Sequence, residues 1–170
     1  MNEIHLYILH LNEDDPKKCT AKKLGRFGFA KLSSRMHRIP QGSIILSPYT
    51  QRILSPADRR TAERQGITAV DCSWKNARET FYRLRGNFRR LPFLVAVNPT
   101  NFGHPYQLSS AEALAAALYI IGYKEQAEKI MGIFKWGPNF FLVNKEPLEL
   151  YSQAKSWEEV VEFEKEFIPQ

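Results

Sequence analysis

Residues 67–77 read ITAVDCSWKNA, an apolar run that stops at an acid, a thiol, a hydroxyl and an indole in succession. Asp71 is the group there that could accept a proton or orient a base in a reaction. Its carboxylate could equally cap the turn or helix that follows. The residue types leave both roles open. Cys72 has no resolving cysteine beside it and reads as a small packing residue. Ser73 lacks the G-x-S-x-G frame of a nucleophile elbow, which argues against a hydrolase. Trp74 is either a core aromatic or a π-face for a cationic ligand. No phosphate-binding glycine motif appears; GRFGF at 25–29 is too sparse. His5, His10, His37 and His104 show no metal-ligand spacing, so no metal is expected. Cys19 and Cys72 give no disulfide framework.

These residues need elements to place them. Residues 5–11, 43–47, 67–72 and 91–98 read as strands, most of them nearly continuous in apolar character. Ser55-Pro56 opens a helix that Gly66 closes. Asn76 with Glu79 resembles a capping box for a second helix, closed by Gly86. This β-α-β-α-β order implies a parallel sheet. Ligands bind beyond the carboxyl ends of such strands. Three unusual segments fall there: LSPY (46–49), VDCSW (70–74) and VNPTNFGHPYQLS (97–109). Leu46, Pro48 and Trp74 supply apolar walls suited to a flat heteroaromatic such as adenine.

Beyond residue 92 the pattern turns helical. Ser109 and Glu112 stand at capping-box spacing, with Ala111, Leu114, Leu118 and Ile121 on one face. Ala127, Ile130, Met131 and Phe134 form a second face. Ser156 and Glu159 start a third helix, with Val160, Phe163 and Phe167 inward. NFFLVN (139–144) is the one strand-like stretch, and Trp136 and Trp157 read as core aromatics. The expected division is an α/β domain over 1–92 and an all-α domain over 93–170.

The chain has 170 residues, 44% hydrophobic and 25% charged, which is ordinary globular material. No run approaches the ~18 apolar residues of a membrane span. Polar residues Asn2, Glu3 and His5 interrupt the start, so no secretory signal is expected. With two cysteines, a reduced cytoplasmic setting without a membrane partner is the expectation. The net charge of +6 is unevenly placed. Residues 1–92 carry 18 Lys/Arg against 8 Asp/Glu, while residues 93–170 carry 6 against 10. Lys17, Lys18, Lys22, Lys23, Arg26, Lys31, Arg35 and Arg38 lie in a stretch with no acid between Asp15 and Asp58. Arg83, Arg85, Arg89 and Arg90 form a second cluster. Cations this dense suit a polyanion, so nucleic acid is the expected partner.

DCSW, then LPFLVAVNPTNFGHPYQLSSAEALAAALYIIG, then FKWGPNFFLVN together resemble the small-subunit ribosomal RNA aminocarboxypropyltransferase family over roughly residues 15–152. Where that family usually reads Tyr, this chain has Phe102, expected as tolerated packing. The resemblance implies a SPOUT-like α/β half with a deep trefoil knot, followed by a helical half. It implies S-adenosylmethionine bound between the halves. Its 3-amino-3-carboxypropyl group would pass to N3 of a uridine-derived base (uridine, pseudouridine or N1-methylpseudouridine) in helix 31 of small-subunit rRNA. Methylthioadenosine would be released.

By the same resemblance, Leu46, Pro48 and Trp74 flank adenine on one side, and Leu108 and Ala113 on the other. Trp74 covers the methyl group. The backbone of Val70 meets the ribose, and the backbones of Leu94 and Ser109 lie at the adenine edge. Thr20 takes the cofactor carboxylate. Lys17, Lys18, Lys22, Lys23, Arg26, Lys31, Arg35, Arg85, Arg89 and Arg90 are assigned to rRNA phosphates, and the protein is expected to act as a monomer. Two rival readings are a SPOUT-type rRNA methyltransferase and a non-catalytic rRNA-binding assembly factor.

Overall fold

A computed structural model of the chain describes residues 2–11 and 19–170, the side chain of Trp74 excepted. Five strands form one sheet: β1 (Leu6–His10), β2 (Lys31–Ser33), β3 (Ile44–Leu46), β4 (Ile67–Asp71) and β5 (Asn87–Arg89). Their order is β2-β1-β4-β3-β5, and every pairing is parallel. The period of two along a strand sorts the side chains. Leu6, Ile8, Ile44 and Leu46 enter one hydrophobic cluster, while Leu9 and Ile45 enter a second with Ile39 and Leu84. The central strands are therefore apolar on both faces, as a parallel sheet requires.

Helices α1 (Thr20–Arg26), α2 (Arg59–Gln65) and α3 (Trp74–Arg83) lie between the strands. After them come α4 (Ser110–Ile120), α5 (Lys124–Met131), α6 (Gly137–Val143), α7 (Lys145–Tyr151) and α8 (Trp157–Glu164). The boundary at α2 follows the sequence closely. Ser55 and Asp58 form a capping box ahead of it, and Gly66 ends it at φ +82, a region that favours glycine. α4 is the central helix, packing against β4, α1, α5 and α7. It is buried on nearly every side, beyond the single face its sequence suggested. The larger cluster runs from Ile4 to Val160, so residues on both sides of position 92 share it. Gln126 adds a tie across the same divide: its side-chain amide donates to Ile4 O and accepts from Ile4 N, each at 2.8 Å. Among the described residues no helix is long and apolar enough to cross a membrane.

Several sequence expectations are corrected. NFFLVN is not a strand but most of α6 and its C-cap. Phe140 is buried while Leu142 and Val143 face outward, a helical rather than alternating pattern. Asn76 does not cap α3. That helix begins at Trp74 after Ser73, and it ends at Leu84 before Gly86 is reached. Lys31–Ser33 forms an edge strand too short and polar to announce itself.

Residues 91–98 make no regular strand, although they are extended and apolar. Their backbone partners alternate. Leu94 O accepts from Tyr106 N (3.1 Å), and Ala96 N donates to His104 O (3.0 Å), so one edge pairs with the returning loop. The other edge is satisfied by side chains. Phe93 N donates to Glu164 (2.9 Å), and Phe93 O accepts from the Tyr151 hydroxyl (2.9 Å). Val95 N and O both meet the Asn144 amide, and Val97 N donates to Glu112 (2.7 Å). Helical side chains thus stand where a neighbouring strand would.

Candidate functional site

Because the sheet is parallel, the ends of its strands gather at one edge. His10 pairs in register with Asp71, and Leu46 with Arg89. The Asp71 carboxylate turns toward β1 and α1. Its Oδ2 lies 2.7 Å from His10 Nδ1 and accepts from Cys19 Sγ at 3.7 Å. Asp71 O accepts from Leu11 N (2.8 Å), closing the β1 side. Capping of α3 by Asp71 is thereby not what the fold uses: Ser73 occupies the N-cap, without a side-chain cap bond. Burial, with the neighbouring Asp71 charge adding to it, holds the Cys19 and Cys72 thiols above the ordinary thiol range.

His10 went unnoticed in the sequence because its partner is 61 residues away. Its Nε2 is buried with no partner among the described residues. A proton on Nε2 would be a buried donor without acceptor, so the favoured tautomer carries it on Nδ1, toward Asp71. Ligand-capable atoms of His10, Cys19 and Asp71 lie within 4.8 Å of one another. No sequence spacing announces that grouping, since the fold draws it from three segments.

Thr20 opens α1, and its Oγ1 accepts from Ala111 N at 3.2 Å. That bond joins the start of α1 to the start of α4. Among the described residues the Thr20 hydroxyl has no acceptor for its own proton, so it can still donate. Ser109 caps α4 in a complete capping box with Glu112. Glu112 does more than the box requires. Fully buried, it also receives Val97 N (2.7 Å) and the Asn98 amide (2.6 Å), fixing both ends of the 97–109 loop.

Leu46 and Leu94 belong to the larger cluster, and Leu108 and Ala113 pack half-buried against it. These four expected cofactor residues therefore share one extensive apolar cluster. Pro48 stands exposed just past β3, and Val70 packs against the smaller cluster. Leu94 is 1% exposed, and its N–H forms no bond with the described residues. A buried N–H without a partner is rare and fits a ligand acceptor. The Trp74 side chain lies outside the described residues, as do Lys17 and Lys18. Phe102, expected as packing, is 63% exposed instead.

The basic residues divide. Arg26, Lys31, Arg35 and Arg85 are exposed; Lys22 and Lys23 are half-buried, with the Lys23 ammonium 5.1 Å from the Phe134 ring centroid. Arg89 is corrected. Its side chain is 10% exposed and donates to Asp58 at 3.0 Å, deep beside the Ser55 capping box. A guanidinium so enclosed serves the fold rather than a phosphate. Arg90 is half-buried and paired with Glu164 at 3.2 Å.

The family described as "Ribosome biogenesis protein, C-terminal" matches residues 44–168. A family described as "Possible Fer4-like domain in RNase L inhibitor, RLI" matches residues 4–38. That segment holds a single cysteine, Cys19, so it cannot furnish the thiolate set of an iron–sulfur cluster. A "16S rRNA aminocarboxypropyltransferase" of Methanococcoides burtonii is 49% identical, over 98% of this chain and 96% of that protein. The protein of the same name from Methanothermobacter thermautotrophicus is 48% identical, over 96% of this chain and 98% of its own length. A solved structure is described as the SAM-dependent rRNA:acp-transferase Tsr3 from Vulcanisaeta distributa. It superimposes with a TM-score of 0.84 at 47% identity, over 94% of this chain and 88% of that one.

Proposed function

The chain belongs to the family of 16S rRNA aminocarboxypropyltransferases, and from that membership we propose that it modifies small-subunit rRNA with the 3-amino-3-carboxypropyl group of S-adenosylmethionine. The acceptor in this reading is N3 of a uridine-derived base in helix 31, and methylthioadenosine leaves. The observation that carries the reading is the buried Leu94 N–H, which has no acceptor among the described residues and belongs to the same apolar cluster as Leu46, with Leu108 and Ala113 packed against it. A buried donor left unspent among apolar side chains fits the edge of adenine.

S-adenosylmethionine bound there supplies a carbon chain activated by its sulfonium. The protein's part is to bind and orient. Leu46 and Pro48 flank one face of adenine, Leu108 and Ala113 the other, and the Val70 backbone meets the ribose. Ser109 has given its N–H to Glu112 (2.9 Å) and its carbonyl already accepts from Ala113 N (2.9 Å), so the second lone pair of that carbonyl is what it can offer the adenine edge. The Thr20 hydroxyl donates to the cofactor carboxylate. Trp74, first residue of α3, covers the methyl group. Asp71, held by His10, accepts the proton from the attacked base nitrogen. Lys22, Lys23, Arg26, Lys31, Arg35 and Arg85, with Lys17 and Lys18, hold rRNA phosphates.

The same reading includes a SPOUT-like threading of residues 1–92 with a deep trefoil knot. The all-parallel, non-sequential strand order supports it. It also includes a helical part over 93–170 that completes the cleft, action as a monomer and a cytoplasmic setting.

The test uses cofactor labelled in two places, with rRNA from cells lacking the activity. Carboxypropyl carbon should appear on the rRNA and methyl label should not. Methyl label on the rRNA would make the protein a methyltransferase instead. Tight rRNA binding with no label transferred would make it an assembly factor.

A further inference from the structure

We infer that the cavity beyond the carboxyl end of β3 holds an unpaired rRNA nucleotide adjacent to the base being modified. The inference rests on the function proposed above and assigns that substrate a second contact. The cavity has a volume of about 670 Å³ and is lined in part by Pro48, Tyr49, Arg78, Arg90 and Trp157. That size falls in the range of about 300–1,000 Å³ typical of small-ligand sites, which suits one nucleotide.

Its position is the first argument. Pro48 is shared with the proposed adenine wall, so the cavity continues the cofactor cleft. Its chemistry is the second. Tyr49 is exposed, and the Arg78 guanidinium lies 5.4 Å from its ring centroid. Phe81 meets Tyr49 in a T-shaped contact at 5.4 Å, and 43% of Tyr49 stays exposed. Arg78 is exposed and has no carboxylate partner among the described residues. Arg90 adds a second cation, partly offset by Glu164. Among the described residues no acidic side chain lines the cavity. Trp157, read from sequence as core, stands half-exposed in this wall instead.

Aromatic faces beside a guanidinium without a carboxylate partner suit a stacked base and its phosphate. The surface continues outward along α3. Tyr82, four residues after Arg78 and so on the same helix face, is 90% exposed. Arg83 and Arg85 are exposed beside it. Base-paired RNA cannot present a base to such rings, so the occupant is single-stranded.

The experiment compares full-length wild type with Tyr49→Ala, Arg78→Ala, Trp157→Ala and Trp157→Phe. The probe is a labelled RNA hairpin with the helix 31 loop, and a fully paired duplex of equal length is the comparison. Tyr49→Ala should weaken hairpin binding about 5- to 150-fold, the effect of losing one base–aromatic stack. Duplex binding and S-adenosylmethionine affinity should stay within about twofold, since stacking is a term the duplex never had. Trp157→Phe should retain most of what Trp157→Ala loses. Tyr49 and Arg78 have exposed side chains, so their variants fold whatever Trp157→Ala does. Wild-type hairpin affinity in folded Tyr49→Ala and Arg78→Ala chains overturns the pocket and leaves the proposed activity standing. A wild type that neither binds the hairpin nor transfers the group to it overturns both.

Discussion

Asp71 bonds backward to His10 rather than forward to the helix it precedes. A carboxylate fixed at the strand end by an imidazole is aimed, and aiming is what a general base needs. Asp71→Asn preserves the shape and a contact with His10 but cannot take the proton. Single-turnover transfer with both substrates saturating should fall by ~10²–10⁴-fold, with cofactor affinity nearly unchanged. A rate within about threefold of wild type, outside that range, would reduce Asp71 to a clamp on the end of β1. The two cysteines give a prediction with a pH sign. Both thiols titrate above the ordinary value of 9.0, chiefly through burial. Alkylation follows the thiolate. Iodoacetamide should therefore label Cys19 and Cys72 more slowly than free cysteine at neutral pH. Labelling should accelerate only as pH climbs past the free thiol's own titration. Mass spectrometry of timed samples reads both rates, and rapid labelling at neutral pH would contradict the burial.

Glu112 shows how one helix-starting residue governs a loop. It receives Ser109 N, Val97 N and the Asn98 amide while wholly buried. Glu112→Ala strands those donors, and hydrogen bonds to a charged group are worth ~1.5–3 kcal/mol each. Even with relaxation, denaturant unfolding should report a loss of about 2–4 kcal/mol, and cofactor affinity should fall with it. Glu112→Gln keeps one acceptor oxygen and should lose less. The capping boxes at Ser55 and Ser109 were legible because their partners sit three residues away. So were β1, β3 and β4, whose apolar runs match a sheet covered on both sides. Residues 91–98 misled because their partners are Glu112, Asn144, Tyr151 and Glu164, scattered along the later helices. The His10–Asp71 and Arg89–Asp58 pairs escaped for the same reason, while the Leu94 backbone was singled out by the family resemblance alone. No local pattern encodes a partner supplied by a distant segment. The family resemblance, carried by long uncommon motifs, reached the chemistry that periodicity alone could not.

Across the whole molecule, charge and packing divide the labour. The basic excess lies in residues 1–92 and the acidic excess in 93–170. If Lys22, Lys23 and Arg26 each meet a phosphate, their replacement by Ala should flatten the salt dependence of RNA binding by about 0.7–0.9 in log–log slope per contact. Cofactor affinity should hardly move, and an unchanged slope would place the RNA elsewhere. The later helices act on the sheet half at long range, through Ala111 on Thr20 and Glu164 on Arg90. Those ties impose a schedule on the newborn chain. Synthesis runs from the amino end, so strands β1 to β5 emerge before any helix that props residues 93–97. Glu164 is made after everything it holds. Until α8 has emerged and docked, the Phe93 N–H can donate only to water. A half-made copy can thus carry the basic excess of residues 1–92 while residues 93–97 still lack the side chains that hold them. The backbone of residues 93–97 thus takes its last bond only when α8 arrives.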